Sequence, residues 1–401
     1  MDNTTTLLDT KLLGAGPPSG IAVPKTDWDR APWNRWSFQH IREILPTAEV
    51  WRGDGPVRQF ERDEKNFDAL PVKNMAGELA TLSQVLDETF TDGFIVLHRG
   101  AIAYERYFGG MTPRTLHLSQ SVAKSVTGIT AGILVGRGLL DPNQLVTYYM
   151  PELEATAWKG ATLQQVLDMT SGAGFNEDYT DPHSDIGQLD VASGWKPIPP
   201  ATDPKLVWPT HVWDLILKLN QNTRPHGAAF EYRSIETDVL AFCMERVTGN
   251  RLAQIVSEEL WQKLGAEESA SFAIDPAGYS IADGGFNATL RDYARFGQMV
   301  LSGGEGIVAK SWIEETRQAN HAKFGPPYSI VLPNGGYHNQ FWVEDHESRN
   351  LMCRGVFGQL IYIDFEHEMV VAKLSSWPEF VSLKKMIATL GAIRTIAAQL
   401  G

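Results

Sequence analysis

Cysteine is scarce in this chain of 401 residues, in which only Cys243 and Cys353 occur. A disulfide framework or a zinc site built on thiolates needs several cysteines at short, regular spacings. Histidine offers no substitute, because His346-Glu347 and His367-Glu368 lack the second histidine of the H-E-x-x-H zinc motif. The sequence therefore predicts no disulfide framework, no metal site and no cofactor.

Positive charge and long apolar runs are also in short supply. The chain has 35 lysines and arginines against 48 aspartates and glutamates, a net charge of −13, and no basic cluster that would bind a phosphate backbone. No apolar run approaches the roughly 20 residues of a membrane-spanning helix. Residues 1–20 lack the basic segment and apolar core of a signal peptide. We expect a cytoplasmic protein without a nucleic-acid or membrane partner.

The order of strand-like and helix-like patterns indicates the architecture. Alternating and apolar runs predict strands at 93–98, 101–108, 339–344, 356–365 and 369–375. Helical periodicity dominates residues 143–270, where it predicts a helix over 252–264 and is interrupted by a polar loop at 175–200, and it returns over 381–400. The scattered prolines of residues 1–75 predict an irregular arm that packs on the body through its aromatic residues. This order predicts an α/β domain built from both ends of the chain, with an all-α domain inserted between them. We place the N-terminal part at 1–116, the helical domain at 117–280 and the second part of the α/β domain at 281–401.

A serine and a lysine one helical turn apart begin the helical part. Ser121-Val-Ala-Lys124 follows the first pair of strands and opens a helix of small apolar residues, so both side chains lie on one face. A hydroxyl beside an amine can be a nucleophile beside its base, and burial would lower the pKa of the lysine. Two further S-x-x-K matches, at Ser193 and Ser382, lack this setting. The alternative is that Ser121 caps the helix and Lys124 extends to solvent.

Two further segments carry chemistry. Tyr232-Arg-Ser lies between two predicted helices, and a tyrosine that is hydrogen-bonded to a lysine can pass a proton to a leaving group. A buried structural tyrosine is the alternative, and it is the interpretation we prefer for the similar segment at Tyr337. The glycines of segment 353–359 allow a strand to approach a ligand and offer a backbone N–H to an oxyanion. A strand with glycine bulges is the alternative there.

Taken together, these residues resemble the serine hydrolases of the β-lactamase-like fold. Within that group the chain resembles the 6-aminohexanoate-dimer (nylon-oligomer) hydrolases and their family VIII carboxylesterase relatives. The resemblance extends over nearly the full length and includes segments 31–36, 121–125, 166–169, 176–179, 193–195, 237–241, 245–249 and 373–378. It implies a β-lactamase/penicillin-binding-protein-like fold, with a central antiparallel sheet flanked by helices and an inserted helical domain. It also implies a possible homodimer.

The resemblance implies catalytic roles for four residues. Ser121 would be the acylated nucleophile, Lys124 its base partner and Tyr232 the proton shuttle. The backbone N–H groups of Ser121 and Val356 would form the oxyanion hole.

The resemblance also implies a substrate-binding set. Tyr179 would close over the substrate from a mobile loop, and Asp190 would pair with a substrate ammonium group. Asp283 stands where the nylon-oligomer enzymes have asparagine and would change the polarity near the substrate. Phe357 replaces a histidine in the Ile-His-Gly-Gln segment of that family. Arg354-Gly takes the place of the Lys-Thr-Gly of β-lactamases, which argues against efficient β-lactam turnover.

The predicted function is cleavage of a small amide or ester through an acyl-enzyme. The substrate would be a linear 6-aminohexanoate oligomer or a short carboxylic ester. The enzymatic alternatives are a D-aminopeptidase, a DD-peptidase or a weak β-lactamase. A catalytically silent binding protein of the same fold is the alternative from another class.

Overall fold

A sheet of eight strands lies at the centre of the structure, a computed structural model that describes residues 23–200 and 206–401. The strands of the described residues are β1 Thr47–Val50, β2 Glu61–Arg62, β3 Pro71–Lys73, β4 Leu79–Thr81, β5 Thr91–His98, β6 Ala101–Tyr107, β7 His117–Leu118, β8 Ala270–Ala273, β9 Phe286–Ala288, β10 Gly336–His338, β11 Phe341–Val343, β12 Leu351–Gly355, β13 Gln359–Asp364 and β14 Met369–Ser375. The central sheet has the order β10-β11-β12-β13-β14-β5-β6-β2, and only β2 pairs in parallel.

The predicted central antiparallel sheet is confirmed, and its strands come from both ends of the chain. Two neighbouring inner strands, β5 and β14, are almost completely buried. Successive side chains of β5 point to opposite faces. Ile95 joins the hydrophobic cluster of the helix Leu290–Leu301, and Val96 joins that of the helix Leu383–Leu400. Because helices cover both faces, these strands are continuous apolar runs. The boundaries of the three predicted segments stay a prediction.

The α-helices mostly follow the predicted periodicity. They are Asn34–Ser37, Leu82–Glu88, Val122–Gly136, Val146–Tyr149, Leu163–Leu167, Asp185–Ala192, Val212–Lys218, Ile235–Thr248, Leu252–Val256, Gln262–Leu264, Leu290–Leu301, Lys310–Thr316, Tyr328–Val331 and Leu383–Leu400. A π-helical turn, Ser257–Trp261, interrupts the helix predicted over 252–264. Across the ranges that the structure describes, no helix is both long and apolar enough to cross a membrane.

One helix was not predicted. Asp185–Ala192 lies in segment 175–200, which the sequence predicts to be a polar loop. Ser184 begins this helix by accepting a hydrogen bond from the backbone N–H of Gly187, as an N-cap residue does. The cap signal was present in the sequence, but the polar surroundings obscured it.

The N-terminal arm contributes more order than its prolines suggest. Residues 1–75 are predicted to be irregular, and residues 1–22 lie outside the described ranges. The arm nevertheless forms β1, which pairs with β8 in a smaller sheet of order β1-β8-β9-β7. The predicted packing of its aromatic residues is observed for Trp28 and Phe38, which are fully buried. The smaller sheet ends in β7, so it fixes the chain immediately before Ser121.

The helix Val122–Gly136 is buried over almost all of its length, as its small apolar residues predict. Two of its glycines allow close contacts. A Cβ on Gly128 would lie 2.6 Å from the carbonyl oxygen of Asn339, and one on Gly132 would lie 2.3 Å from the indole nitrogen of Trp312. The close packing at these glycines holds the helix, and with it Ser121 and Lys124, in one position.

We predict that Gly128→Ala destabilises the fold by about 1–3 kcal/mol, because the new methyl group would overlap a backbone oxygen. Gly136→Ala, near the exposed end of the same helix, is the matched control, since a Cβ there meets nothing within 4 Å. The control should be neutral or stabilising by up to about 1 kcal/mol. Denaturant unfolding measures both changes, and equal stability of the two variants would contradict this packing.

Candidate active site

A cavity of about 370 Å³ opens at the beginning of the helix Val122–Gly136. Its polar lining includes Ser121, Glu177, Tyr179, Tyr232 and Arg354, and most of the remaining surface is apolar. The structure thus brings four of the predicted site residues to one cavity: Ser121, Tyr179, Tyr232 and Val356. Lys124 lies directly beneath its floor.

The Ser121 hydroxyl does not cap the helix. Ser121 occupies the N-cap position, but its side chain makes no capping hydrogen bond. Its Oγ instead accepts a hydrogen bond of 3.0 Å from Nζ of Lys124. Gln120, the residue before it, has φ +51°, a strained conformation that recurs where a reactive side chain is held in place. The capping interpretation is therefore wrong, and the hydroxyl faces the cavity with an amine beside it.

The Lys124 side chain is buried, with 1% of its surface exposed, so the alternative in which it extends to solvent is wrong. Its ammonium group has three hydrogens and three acceptors. These are Oγ of Ser121 at 3.0 Å, Oγ of Ser234 at 3.2 Å and the carbonyl oxygen of Asp283 at 2.5 Å. The Lys124 side chain thus joins the helix Val122–Gly136 to the segments that carry Ser234 and Asp283.

Acidic side chains around Lys124 reverse the pKa shift that burial alone would give it. Burial acts to lower the pKa of the ammonium group, but nearby Tyr232, Asp283, Glu177 and Asp238 outweigh it and raise that pKa. Oδ2 of Asp283 lies 3.6 Å from Nζ. The pKa shift of Lys124 is thus opposite in direction to the shift that burial alone predicts. The groups around Lys124 therefore favour the ammonium form beside Ser121 more than burial alone would allow.

Tyr232 lies in the cavity with its ring stacked on Trp342, at a centroid distance of 5.5 Å. Burial raises the pKa of the phenol, while Lys124 and a hydrogen bond with the Ser121 hydroxyl act to lower it. A phenol that contacts both groups is placed to receive one proton and release another. Tyr337, by contrast, is 5% exposed and contacts Gln340, in keeping with the structural interpretation.

The turn after β12 brings a backbone N–H to the nucleophile. A Cβ on Gly355 would lie 2.5 Å from the carbonyl oxygen of Ser119, so only glycine allows this approach. Val356 follows and lines the same cavity as Ser121. Within the described residues, neither the Val356 N–H nor the Ser121 N–H donates a hydrogen bond. Both donors are available for an oxyanion.

Phe357 does not line the cavity. It is 1% exposed, has φ +61°, and packs against Phe38 and Phe380 at 5.3 and 4.8 Å. Its backbone N–H donates to the carbonyl oxygen of Phe380. The prediction that Phe357 contacts substrate is therefore wrong, and its side chain instead supports the turn at Val356.

Glu177 and Ser234 belong to the candidate site, and the predicted set of site residues did not include them. The Glu177 carboxylate accepts hydrogen bonds from the Ser234 hydroxyl at 2.5 Å, the Ser234 N–H at 2.9 Å and the Tyr179 hydroxyl at 2.7 Å. Burial raises its pKa, and the Lys124 charge acts to lower it. The available signals were the serine of Tyr-x-Ser and a glutamate two residues before Tyr179.

Asp190 lies in a neighbouring cavity of about 260 Å³, which shares Tyr179 with the first. It is not free: Nζ of Lys196 lies 3.5 Å from its carboxylate and 2.9 Å from that of Asp29. Burial raises the pKa of Asp190 to about 7. The side chain predicted to bind an ammonium group already has a protein ammonium beside it.

Asp283 lines neither cavity described above. Its carbonyl oxygen and carboxylate both face Lys124. The carboxyl of Asp238 lies nearby and accepts from the Ala282 N–H at 3.0 Å. Burial, together with the Asp283 charge, raises the pKa of Asp238 well above its usual value. Asp283 therefore influences the lysine rather than the polarity of the cavity wall.

Comparison with known proteins places this geometry in a family. The beta-lactamase family profile matches residues 81–392. The 6-aminohexanoate-dimer hydrolase of Paenarthrobacter ureafaciens is 37% identical over 372 residues, which are 90% of this chain and 91% of that protein. The chain belongs to the beta-lactamase family, and it is a serine hydrolase.

Solved structures support the same conclusion. A candidate 6-aminohexanoate-dimer hydrolase from Bacillus anthracis has a TM-score of 0.86 at 31% identity and covers 96% of this chain and 98% of its own. A family VIII carboxylesterase has a TM-score of 0.57 at 16% identity, covering 78% of this chain and 97% of its own. The second likeness shows the fold alone. The predicted resemblance and fold class are confirmed.

We predict that Glu177→Gln moves the alkaline fall of kcat/KM to lower pH. The Glu177 charge helps to raise the pKa of Lys124, so its removal lets the ammonium lose its proton sooner as the pH rises. Glutamine retains the contacts with Ser234 and Tyr179, because both hydroxyls can reverse their hydrogen bonds.

The matched control is Asp178→Asn, which removes an exposed carboxylate from the neighbouring position. Its pH profile should superpose on that of the unaltered enzyme. An unmoved alkaline limb in Glu177→Gln would contradict the role of Lys124 as a charged group.

Proposed function

We propose that this enzyme hydrolyses linear 6-aminohexanoate oligomers and short carboxylic esters through an acyl-enzyme on Ser121. The observation that carries the proposal is the 3.0 Å hydrogen bond from the buried Lys124 ammonium to Oγ of Ser121, at the floor of the cavity. The names of the relatives support the amide substrate. Because an ester leaving group needs less protonation than an amine, the same site serves both.

The proposed acylation step moves two protons through Tyr232. As Oγ of Ser121 attacks the carbonyl carbon, its proton passes to the Tyr232 oxygen, and the Tyr232 proton passes to the leaving nitrogen or oxygen. Lys124 is not the base in this proposal, although the resemblance implies that role: it stays charged and stabilises the developing alkoxide. The N–H groups of Ser121 and Val356 bind the oxyanion. The carbonyl–leaving-group bond then breaks, and the acyl group remains on Ser121.

Deacylation repeats the path with water. Water attacks the ester carbonyl, its proton passes to Tyr232, and the Tyr232 proton returns to Oγ of Ser121 as the acid leaves. No metal or cofactor takes part in the proposed steps. We propose a small-molecule substrate and a homodimeric protein.

Asp190 supplies the proposed preference for an amino-terminated acyl group. A substrate ammonium must displace Nζ of Lys196 from Asp190, whereas a neutral acyl group need not. Lys196 retains a second partner in Asp29, so the displacement leaves no buried cation unpaired. Because a neutral acyl group does not need to displace Lys196, ester hydrolysis does not depend on the Asp190–Lys196 ion pair.

We predict that a fluorophosphonate labels Ser121 and that Ser121→Ala abolishes both labelling and turnover, with kcat/KM falling by roughly a thousandfold or more. Ser193→Ala, from another S-x-x-K match, is the control and should label normally.

We predict that Tyr232→Phe lowers kcat/KM roughly a hundredfold for the amide and less for p-nitrophenyl esters, whose leaving group needs no proton. An adduct on a different serine would overturn the mechanism. Nitrocefin turnover as fast as ester turnover would favour a β-lactamase instead.

We predict opposite effects for the two halves of the Asp190–Lys196 pair. Asp190→Asn should weaken kcat/KM for the 6-aminohexanoate linear dimer by about tenfold and spare p-nitrophenyl butyrate. Lys196→Gln should raise kcat/KM for the dimer relative to kcat/KM for the ester. In the unaltered enzyme, KM for the dimer should fall as the pH rises through about 7, because Asp190 then ionises. An equal fall in kcat/KM for both substrates in Asp190→Asn would show that Asp190 does not recognise the substrate ammonium group.

A further inference from the structure

One buried carboxyl near Lys124 has no part in the proposed proton path. Asp238 lies one turn after Ser234, in the helix Ile235–Thr248, and is 2% exposed. Its side chain lines neither of the two cavities described above. Its Oδ1 accepts a hydrogen bond of 3.0 Å from the backbone N–H of Ala282. A carboxyl that is buried away from the cavities and binds a backbone N–H acts on the segment to which it is bound.

That segment carries an acceptor of the Lys124 ammonium. Ala282 immediately precedes Asp283, whose carbonyl oxygen accepts the shortest of the three Lys124 hydrogen bonds, at 2.5 Å. The base of this loop is held by β8, which accepts from the Ile281 N–H at 2.9 Å. The loop tip, Ala282 and Asp283, is bound to Asp238 on one side and to Lys124 on the other. Asp238 therefore determines where the Asp283 carbonyl points.

Burial makes this contact hard to replace. Ala282 is fully buried, and Asp283 is only 8% exposed. A buried N–H that loses its acceptor is costly, so the loop tip would have to shift to find another partner. Such a shift would carry the Asp283 carbonyl away from Lys124.

The same helix start supplies a second acceptor. The Ser234 hydroxyl, one turn before Asp238, accepts from Nζ of Lys124 at 3.2 Å. Residues four apart on a helix lie on one face, so both side chains point toward the surroundings of the ammonium. Two of the three acceptors of Lys124 thus depend on one helix. Ser234 binds the ammonium directly, and Asp238 acts through the loop tip.

The chemical form of Asp238 suits an anchor. Burial and the Asp283 charge raise its pKa well above the usual value, while Lys124 and the backbone N–H groups act to lower it. Its Oδ2 has no hydrogen-bond partner among the residues that the structure describes. A neutral carboxyl still accepts through its carbonyl oxygen. Asparagine offers the same acceptor in the same shape and is therefore the conservative replacement.

We propose that Asp238 is a positioning residue, which anchors the loop tip so that the Asp283 carbonyl stays on the Lys124 ammonium. It acts through the lysine and touches neither the substrate nor Ser121. The assignment rests on the proposed function, because there the charged ammonium stabilises the Ser121 oxygen as it attacks.

The first measurement is the hydrolysis of p-nitrophenyl butyrate by Asp238→Ala and Asp238→Asn. Alanine removes the acceptor, so kcat should fall about tenfold or more, with KM within about twofold of that of the unaltered enzyme. Asparagine retains an oxygen for the Ala282 N–H, so kcat should recover to within about threefold of the unaltered value.

The matched control is Asp364→Ala. Asp364 is also buried and also accepts from backbone N–H groups, those of Glu366 and His367 at 3.1 Å. It lies at the turn between β13 and β14, so its loss removes a similar anchor without moving the Asp283 carbonyl.

The pH profile distinguishes the proposed role from general destabilisation. A hydrogen bond to a charged group favours the charged form, so loss of the Asp283 carbonyl lowers the pKa of Lys124. The alkaline fall of kcat/KM should therefore move to lower pH in Asp238→Ala. The variant retains the other titratable groups around the ammonium, which are Tyr232, Glu177 and the Asp283 carboxylate. In Asp364→Ala both kcat and the alkaline limb should stay unchanged.

Three results would overturn the assignment. They are an unchanged kcat and pH profile in Asp238→Ala, an asparagine variant as slow as the alanine variant, and the same pH shift in Asp364→Ala. If Asp238→Ala does not fold, Asp238→Val, which fills more of the space without an acceptor, replaces it in each comparison.

Crystal structures separate failure of this assignment from failure of the proposed function. In Asp238→Ala the Asp283 carbonyl oxygen should lie more than about 3.5 Å from Nζ of Lys124, and in Asp238→Asn it should remain within hydrogen-bond distance. If the unaltered enzyme does not hydrolyse the ester, the proposed function fails, and these two distances alone decide the role of Asp238. An unmoved carbonyl in the alanine variant would contradict that role.

Discussion

The buried ammonium of Lys124 is the interaction on which the site depends. It donates to Ser121, to Ser234 and to the backbone of Asp283, and so connects a helix start, the Tyr-x-Ser segment and the loop before β9. A buried cation needs compensating charge. Tyr232, Asp283, Glu177 and Asp238 surround it, and together they raise its pKa against the effect of burial. Removal of the ammonium would leave buried carboxyl groups without their cation.

This arrangement divides the work between charge and proton transfer. In the proposed mechanism Lys124 provides a fixed positive charge, and the protons that move are those of Ser121 and Tyr232. Preorganised charge of this kind stabilises a developing oxyanion without reorganisation during the reaction.

The sequence predicted those parts that depend on local spacing. Ser121 and Lys124 meet because they are one turn apart on a helix, and apolar runs predicted β5 and β14. Contacts between distant segments could not be predicted in this way. The carboxylates that reverse the pKa shift of Lys124 come from three separate segments, and Lys196 reaches Asp190 and Asp29 through folding alone. The prediction that Phe357 contacts substrate is wrong because its positive φ turns the chain away from the cavity after Val356.

Rapid quenching during turnover tests the central claim most directly. The enzyme is mixed with excess 6-aminohexanoate linear dimer, stopped in acid within milliseconds, digested and examined by mass spectrometry. The account predicts that one aminohexanoyl group accumulates on the peptide that contains Ser121, and that it forms and decays at rates consistent with kcat. Turnover without any acylated peptide, or acylation of a peptide that lacks Ser121, would contradict it.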